Sequence, residues 1–512
     1  MLVTTLFVIA GILLITAIIS ITDSFLQIEA KKTGIDTSKE NFSLFPRLGD
    51  MFGPSVPEDL DSSRFHVLKK GHDIKLTGEA VGDIIPVQSS RYSVKPTNFR
   101  GIAPIPKMLV AEGDEVLAGE PLFFDKQNPD IKFVSPVSGE VVEIGRGAKR
   151  AIENVIILAD KKINYKKHDV PNLHEASRDE IKAFMMESGV WTSILRRPFD
   201  SLARPDEIPR DIFISTFNSA PLALNQNRVV TGKEGSFQKG IDVLAKMTDG
   251  KVFLGVDSGD AHVSKAFTDA QNAEVHYFQG KHPAGNVGVQ IHHIKPIKSG
   301  DVVWTLNVQD VIIMGKLFTE GIYDASRVVA LTGSELENPK IVRVTGGASV
   351  ADLLRGESFG GDKRIISGNV LGGNVLSADS FLDAKTEQLT VIKEGNHHEM
   401  FGWLLPLKPR PSVSNTFPNF LFPAHKFEVD TNTHGEKRAF VMTGQYESML
   451  PMDIYPQHLM KAIMAGDFER MEGLGINELS EEDLALCEFA CTSKMPLQQI
   501  LRDGLDMMQE QS

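Results

Sequence analysis

Apolar positions along this chain change their period several times, and each change marks a new kind of structure. Leu2 to Thr22 (LVTTLFVIAGILLITAIISIT) carries no Asp, Glu, Lys or Arg. Such a run is long enough for a helix across a hydrocarbon core, which needs about 20 apolar residues. From Ile102 to Leu158 the pattern becomes short alternating runs broken by Gly/Asp turns, at Glu112-Gly113-Asp114, Gly119-Glu120-Pro121 and Ser138-Gly139. This predicts a small all-β module. From Ser177 strand-like and helix-like segments alternate. Ser177 and Glu180 form a capping-box pattern ahead of Ile181, Phe184 and Met185. DIFIST (211–216) and KVFLGV (251–256) read as strands, as does 274–278, with helices at 236–247 and 263–273. That rhythm means an α/β domain with a mostly parallel sheet. Arg327 to Gly373 predicts two strands about Gly333, a helix near Ser349 and returning strands. The segment 396–455 is of mixed character, and after Pro456 the period is helical, near 458–471, 480–491 and 496–508.

The stretch Lys281 to Phe318 carries the densest candidate chemistry. Gly285 and Gly288 follow Pro283, His282, His292 and His293 flank them, and an apolar run from Val302 to Leu317 comes next. It follows the strand at 274–278, at the end where open sheets bind ligands. A dinucleotide fingerprint needs three glycines at fixed spacing, so that backbone N–H groups can approach the pyrophosphate. Here the pattern is G-x-x-G around Val287. Zinc would want further ligands, and no cysteine is near. Ordinary turn and strand histidines are the simpler reading; a quinone head group or a partner chain is the sharper one. Phe417, Phe420 and Phe422, in the aromatic segment 416–423, read as packing residues, or as an apolar quinone slot or a membrane-facing loop. Lys126 lies near the tip of a hairpin that Pro129 alters, and reads as an exposed lysine on a structural module. Arg146, Lys149 and Arg150 form a basic cluster, read as a solvated face or a partner contact.

Composition narrows the class. Charged residues make up 24% and apolar ones 42%, with a net charge of −13. The acidic balance argues against a nucleic-acid partner. The only cysteines, Cys487 and Cys491, cannot supply the four thiolates of a cubane cluster. They read as buried core thiols in a reducing compartment. The N-terminal run lacks a basic n-region and an A-x-A-like site, so a retained anchor is favoured over a cleaved signal. Lys31, Lys32 and Lys39 follow it, which leaves the bulk of the chain in the cytoplasm.

The alternating stretch 102–158 resembles the barrel-sandwich fold of lipoyl and biotinyl domains, and 327–373 resembles a soluble-ligand-binding β-grasp (SLBB) domain. The whole order resembles the flavin- and NADH-binding subunit of respiratory complex I, without its glycine loop and cluster cysteines. KKGHDIKLTGEA, FVSPVSGEVVEIGRGAKRAIENV, HPAGNVGVQIHH, WTLNVQDVIIMGKLF, RIISGNVLGG, MFGWLLP, YESMLPMDIYP and LSEEDLALCEFAC are more similar still to the NqrA family, which provides the first of the six components of the Na+-translocating NADH:quinone oxidoreductase. The match runs from about His66 to the C-terminus.

The expected fold is therefore α+β and multidomain. It comprises a transmembrane anchor (1–22), a linker (23–64), a barrel-sandwich-like module (65–160), a Rossmann-like α/β domain (161–324), a β-grasp SLBB-like module (325–395), the mixed β segment (396–455) and a C-terminal helical bundle (456–512). The resemblance implies a bacterial inner-membrane complex that oxidises NADH, reduces ubiquinone and exports Na+. NADH, FAD, FMN, riboflavin and iron–sulfur centres are expected on the five partner components (B to F), of which the B component is the membrane neighbour. No catalytic, cofactor or metal residue is expected in this chain. The resemblance associates the NqrA component with the quinone step; His282, Gly285, Gly288, His292, His293, Phe417 and Phe420 are the candidate quinone or partner contacts. The alternative is a stand-alone membrane-anchored binding or scaffold protein that kept the fold without redox function.

Overall fold

The computed structural model describes scattered positions between 11 and 29, then residues 62–103, 105–357, 362–399, 410–413 and 419–511. Most of the expected anchor and linker lies outside the described residues. Leu14, Ile15, Ile18, Ile21 and Phe25 are helical and exposed. Among the described residues no helix is long and apolar enough to cross a membrane.

From residue 63 the chain forms one compact unit. Its first two strands, β1 (Phe65–Val67) and β2 (Val81–Pro86), leave the stretch that the alternation marks as one module. β1 pairs in parallel with a strand of the α/β domain, Phe65 opposite Tyr277. β2 pairs in parallel with a strand of the β-grasp module, Ile84 opposite Ile341. Seven short strands then make two sheets: β3 (Arg91–Val94), β4 (Lys107–Met108), β5 (Glu115–Val116), β6 (Pro121–Phe124), β7 (Lys132–Val134), β8 (Gly139–Arg146) and β9 (Ile152–Ala159). One sheet runs β3-β9-β8-β5 and the other β4-β6-β7. Leu122, Phe123, Phe133, Val141 and Ile157 are buried in the core of this module. Lys126 is exposed on the β6–β7 connection. Beside it the buried Asp125 accepts the backbone N–H groups of Ala103 and Gln127.

The α/β domain begins with α1 (Arg178–Glu187), whose Ser177–Glu180 capping box forms in full. It continues through β10 (Leu195–Arg197), β11 (Ser201–Leu202), β12 (Ile212–Ser215), α2 (Gln226–Val230), α3 (Glu234–Met247), β13 (Val252–Asp257), α4 (Lys265–Thr268), β14 (Glu274–Gln279), α5 (Val287–Ile294), β15 (Val303–Asn307) and α6 (Val308–Glu320). The sheet order is β1-β14-β13-β12-β15-β10-β11. From β12 the chain steps outward to β13 and β14, then crosses back to β15. The switch point therefore lies between β12 and β15, whereas the glycine stretch follows β14. The helix expected over 263–273 shrinks to the single turn α4, opened by the Ser264 cap. The run Val302–Leu317 splits at Asn307, whose side chain accepts the Asp310 N–H and starts α6.

The β-grasp module contains β16 (Ser326–Thr332), β17 (Lys340–Thr345), α7 (Val350–Leu353), β18 (Lys363–Ser367), β19 (Asn374–Leu376) and β20 (Gln388–Lys393), in the order β19-β18-β20-β16-β17-β2. No strand follows β20 among the described residues of 396–455. Isolated bridges, Leu76 to Phe427 and Lys393 to Asp430, replace the expected mixed β structure. Pro409, Pro411, Pro418 and Pro423 remove ladder donors throughout it. The C-terminal bundle comprises α8 (Tyr446–Met449), α9 (Pro456–Met464), α10 (Phe468–Gly473), α11 (Glu481–Ala490) and α12 (Leu497–Gln511). The helix expected over 458–471 breaks at Gly466, which adopts φ +66°. Leu459, Met460, Leu484, Cys487, Leu501 and Leu505 form its core.

Helices α3 and α6 meet backbone to backbone. A Cβ on Gly315 would stand 1.7 Å from the Ser236 carbonyl oxygen, and one on Gly240 2.2 Å from that of Val311. Neither backbone can yield, because α6 is buried along almost its whole length. Gly315→Ala is expected to cost about 2–4 kcal/mol by overpacking. A lowered urea midpoint measures this; an unchanged midpoint contradicts the close crossing.

Candidate functional site

The ligand end of the α/β sheet is formed by the loops that follow β12 and β14. After β14 the chain enters Lys281–Asn286 and then α5. The Ser219 hydroxyl accepts the Gly285 N–H at 2.8 Å and lies 3.1 Å from His282 Nδ1. The His282 N–H donates to Asp73 at 2.9 Å. Ser215 Oγ stands 2.8 Å from the Gly285 carbonyl oxygen, and Gln290 donates to that same hydroxyl at 2.9 Å. Gly285 is required here: a Cβ would come within 2.5 Å of the Ser219 backbone nitrogen. The glycine loop is thus stitched to the end of β12.

Gly288, in the first turn of α5, faces the helical bundle. A Cβ there would lie 2.4 Å from a carboxylate oxygen of Asp483 and 2.9 Å from Arg197 Nη1. Asn286 donates to the Glu482 carbonyl at 3.0 Å and to Asp483 at 3.3 Å. Helix N-termini attract anions through their unpaired N–H groups and their dipole. Here the anion is the chain's own. Asp483 also closes the capping box of α11 with Ser480. Its counter-ion is Arg197, at 3.1 Å, with Glu482 at 3.1 Å and Asp200 at 3.8 Å. Arg197 is 1% exposed and Asp483 0%. Burial works against the guanidinium charge, but these three carboxylates outweigh it and hold its pKa above the ordinary value.

The loop after β12, at the topological switch, is covered from the other side. Thr216 to Asn225 contains no glycine. Gln226, at the start of α2, donates to Glu387 at 2.6 Å. Gln388 donates to the Pro221 carbonyl at 3.1 Å. Nearby, Arg327 at the start of β16 pairs with Asp310 in the first turn of α6. Burial pushes the Glu387 carboxyl upward, with Arg327 opposing. The β-grasp module thus lies on one ligand-end loop and the bundle on the other.

The three candidate histidines do not converge. His282 sits at the start of the glycine loop. His292 and His293 lie on the last turn of α5 and grip the bundle. His292 pairs with Glu478 at 2.8 Å and accepts the Asp453 N–H at 3.1 Å. His293 donates to the Pro451 carbonyl at 2.7 Å. A separate chain runs from Glu274 to His276 at 3.1 Å and on to His66 at 3.0 Å. Among the described residues no group of three or more metal-ligating side chains is arranged to hold an ion. Phe417 and the Phe420 side chain lie outside the described residues. Cys487 and Cys491 are free and buried. Cys491 Sγ accepts from the Tyr446 hydroxyl at 2.8 Å, and burial pushes the Cys487 thiol up. The basic cluster at Arg146, Lys149 and Arg150 is exposed at the β8–β9 tip.

Sequence reasoning missed Arg197, Glu387, Arg327 and the second task of Asp483. Ser480-Glu481-Glu482-Asp483 reads locally as a helix cap, and that cap forms. Nothing along the chain links it to an arginine almost 300 residues earlier.

Three family models match. They are the NqrA N-terminal barrel-sandwich hybrid domain over residues 66–160, the NqrA second alpha/beta domain over 176–323 and the NQRA C-terminal (SLBB) domain over 328–378. The chain is 37% identical over 449 residues to the A subunit of the Na(+)-translocating NADH-quinone reductase of Yersinia pestis bv. Antiqua (strain Angola), covering 87% of this chain and 99% of that one. It is 38% identical to the corresponding subunit of Alcanivorax borkumensis, covering 86% and 98%. With that of Vibrio vulnificus (strain YJ016) it shares 37%, covering 87% and 99%. An NAD+-reducing [NiFe]-hydrogenase in the air-oxidized state is similar over 66% of this chain and 62% of its own, at 12% identity. The TM-score of 0.33 is too low to bear on the fold.

Two outcomes follow from the geometry. Asp483→Ala leaves Arg197 buried without its main partner, at an expected cost of about 3–5 kcal/mol. The urea midpoint measures it, and a loss below about 1 kcal/mol contradicts the pairing. His282 is 4% exposed, and burial lowers its pKa to about 4. The unfolded chain takes up a proton below about pH 6.5 that the folded chain resists. Stability from this residue is complete above about 6.5 and falls by about 2 kcal/mol by pH 5. Unfolding titrations across that window should show a shallower fall in His282→Gln; parallel profiles contradict the assignment.

Proposed function

Because the chain belongs to the NqrA family, and so to the Na+-translocating NADH-quinone reductase, a translocase that is also an oxidoreductase, we propose that its own part in that complex is assembly beside the quinone-reducing step. The observation that carries this reading is the covering of both ligand-end loops by the chain itself. Asp483 stands at the first turn of α5, and Glu387 and Gln388 lie over the loop after β12. A nucleotide phosphate would have to displace a buried carboxylate already neutralised by Arg197. This supports placing NADH, FAD, FMN, riboflavin and the iron–sulfur centres on the five partner components (B to F). The whole complex then couples NADH oxidation and ubiquinone reduction to Na+ export. In this reading His282, Gly285, Gly288, His292 and His293 serve as internal cement, and a quinone would have to meet the chain elsewhere. Leu421 and Phe422 favour the aromatic segment for that contact, at 61% and 65% exposed. The bulk of the chain would face the cytoplasm at the bacterial inner membrane, against the membrane-embedded B component.

A mild-detergent pull-down of the tagged chain from its native membranes tests this. The flavin- and iron–sulfur-bearing subunits should be recovered in equal amounts. Recovery of the chain alone, with those subunits intact in the flow-through, overturns the reading and favours a stand-alone anchored binding protein.

A further inference from the structure

A cavity of about 50 Å³ lies where the sandwich, α/β and β-grasp modules meet. Each module contributes to its wall: Phe99 and Phe133 from the first, Ser193 and Tyr323 from the second, Arg327 and Lys385 from the third. Its polar groups are donors in excess. Arg327 is 5% exposed; its Nη2 pairs with Asp310, while its Nη1 is buried with no partner. Ser93 also lines the cavity, is 3% exposed, and has a buried hydroxyl with no partner. Lys385 donates to the Ser193 carbonyl at 3.2 Å, which uses one of its three protons. Burial lowers the Lys385 pKa, with Asp310 opposing. Arg327 is ion-paired with Asp310, while Asp310 and Asp200 act on the Lys385 charge without pairing with it. Glu387 accepts from Gln226 and also acts on the Arg327 charge. Buried donors left unpaired are costly, and native structures pair them.

We propose that this junction cavity binds a small organic carboxylate. One oxygen meets Arg327 Nη1, the other meets Lys385 and the Ser93 hydroxyl, and a short apolar tail lies against Phe99 and Phe133. The carboxylate's oxygens supply acceptors for the two buried donors that have none. The size fits: a water needs about 10–15 Å³ on this measure, so there is room for a ligand of a few heavy atoms. A phosphate would set a larger charge against aromatic carbon. Because the ligand touches all three modules, its binding is linked to their mutual arrangement.

The test uses the full chain in thermal unfolding and isothermal titration, with sodium acetate and sodium pyruvate as probes. Sodium chloride at matched ionic strength and sodium phosphate are the comparisons. One of the two carboxylates should raise the melting temperature saturably and bind at one site per chain. Lys385→Met should weaken that binding at least tenfold and Ser93→Ala at least threefold, while Arg204→Gln leaves it unchanged. If Lys385→Met does not fold, Ser93→Ala decides alone. No saturable effect from either carboxylate, equal or tighter binding of phosphate, or undiminished binding by both variants overturns the proposal.

Discussion

A single buried guanidinium ties the chain together. Arg197 ends β10, at the antiparallel side of the sheet, yet its charge is answered by Asp483 and Glu482 at the start of α11. Burying an arginine is tolerable only when carboxylates surround it closely. Satisfying Arg197 therefore fixes where the bundle docks. It also fixes what stands at the first turn of α5, since Asp483 and Arg197 crowd the same face of Gly288. The docked bundle is then gripped at the other end of α5 by His292 and His293. Helix, sheet and bundle share one polar seam.

The same logic recurs on the neighbouring loop. The β-grasp module sends Glu387 and Gln388 over the segment after β12, while Arg327 pairs with Asp310 at the start of α6. In open α/β sheets these loop ends are where ligands bind. Here they have become the joints between domains. At the first turn of α5 the chain's own Asp483 occupies the space a substrate phosphate would need. Strands β1 and β2 add a second kind of joint, since each is lent to a different neighbouring sheet.

Local chemistry was legible and distant pairing was not. The capping boxes at Ser177 and Ser480 both form, because a cap depends on four consecutive residues. The strands at 212–215, 252–257 and 274–279 also follow from their apolar runs. By contrast, β1 and β2 are short and join sheets made by residues some 200 and more positions later. No local period encodes that. The glycines at 285 and 288 marked close approach correctly, but the approaching groups are the Ser219 backbone at Gly285 and the Asp483 carboxylate at Gly288, not a phosphate. The histidines attracted a ligand reading through their proximity in sequence. They point instead to different partners, His282 ahead of α5 and the other two on its last turn.

Satisfying Arg197 through Asp483 makes α5 and the bundle one cooperative unit. Native-state hydrogen exchange of the amides at 287–291 and 481–487 tests it most directly, because exchange reports the free energy at which each segment opens. One shared opening free energy and one shared denaturant dependence are expected for both segments. Exchange of 481–487 through an opening several kcal/mol cheaper, on the scale of local unfolding, while 287–291 stays protected, would contradict it.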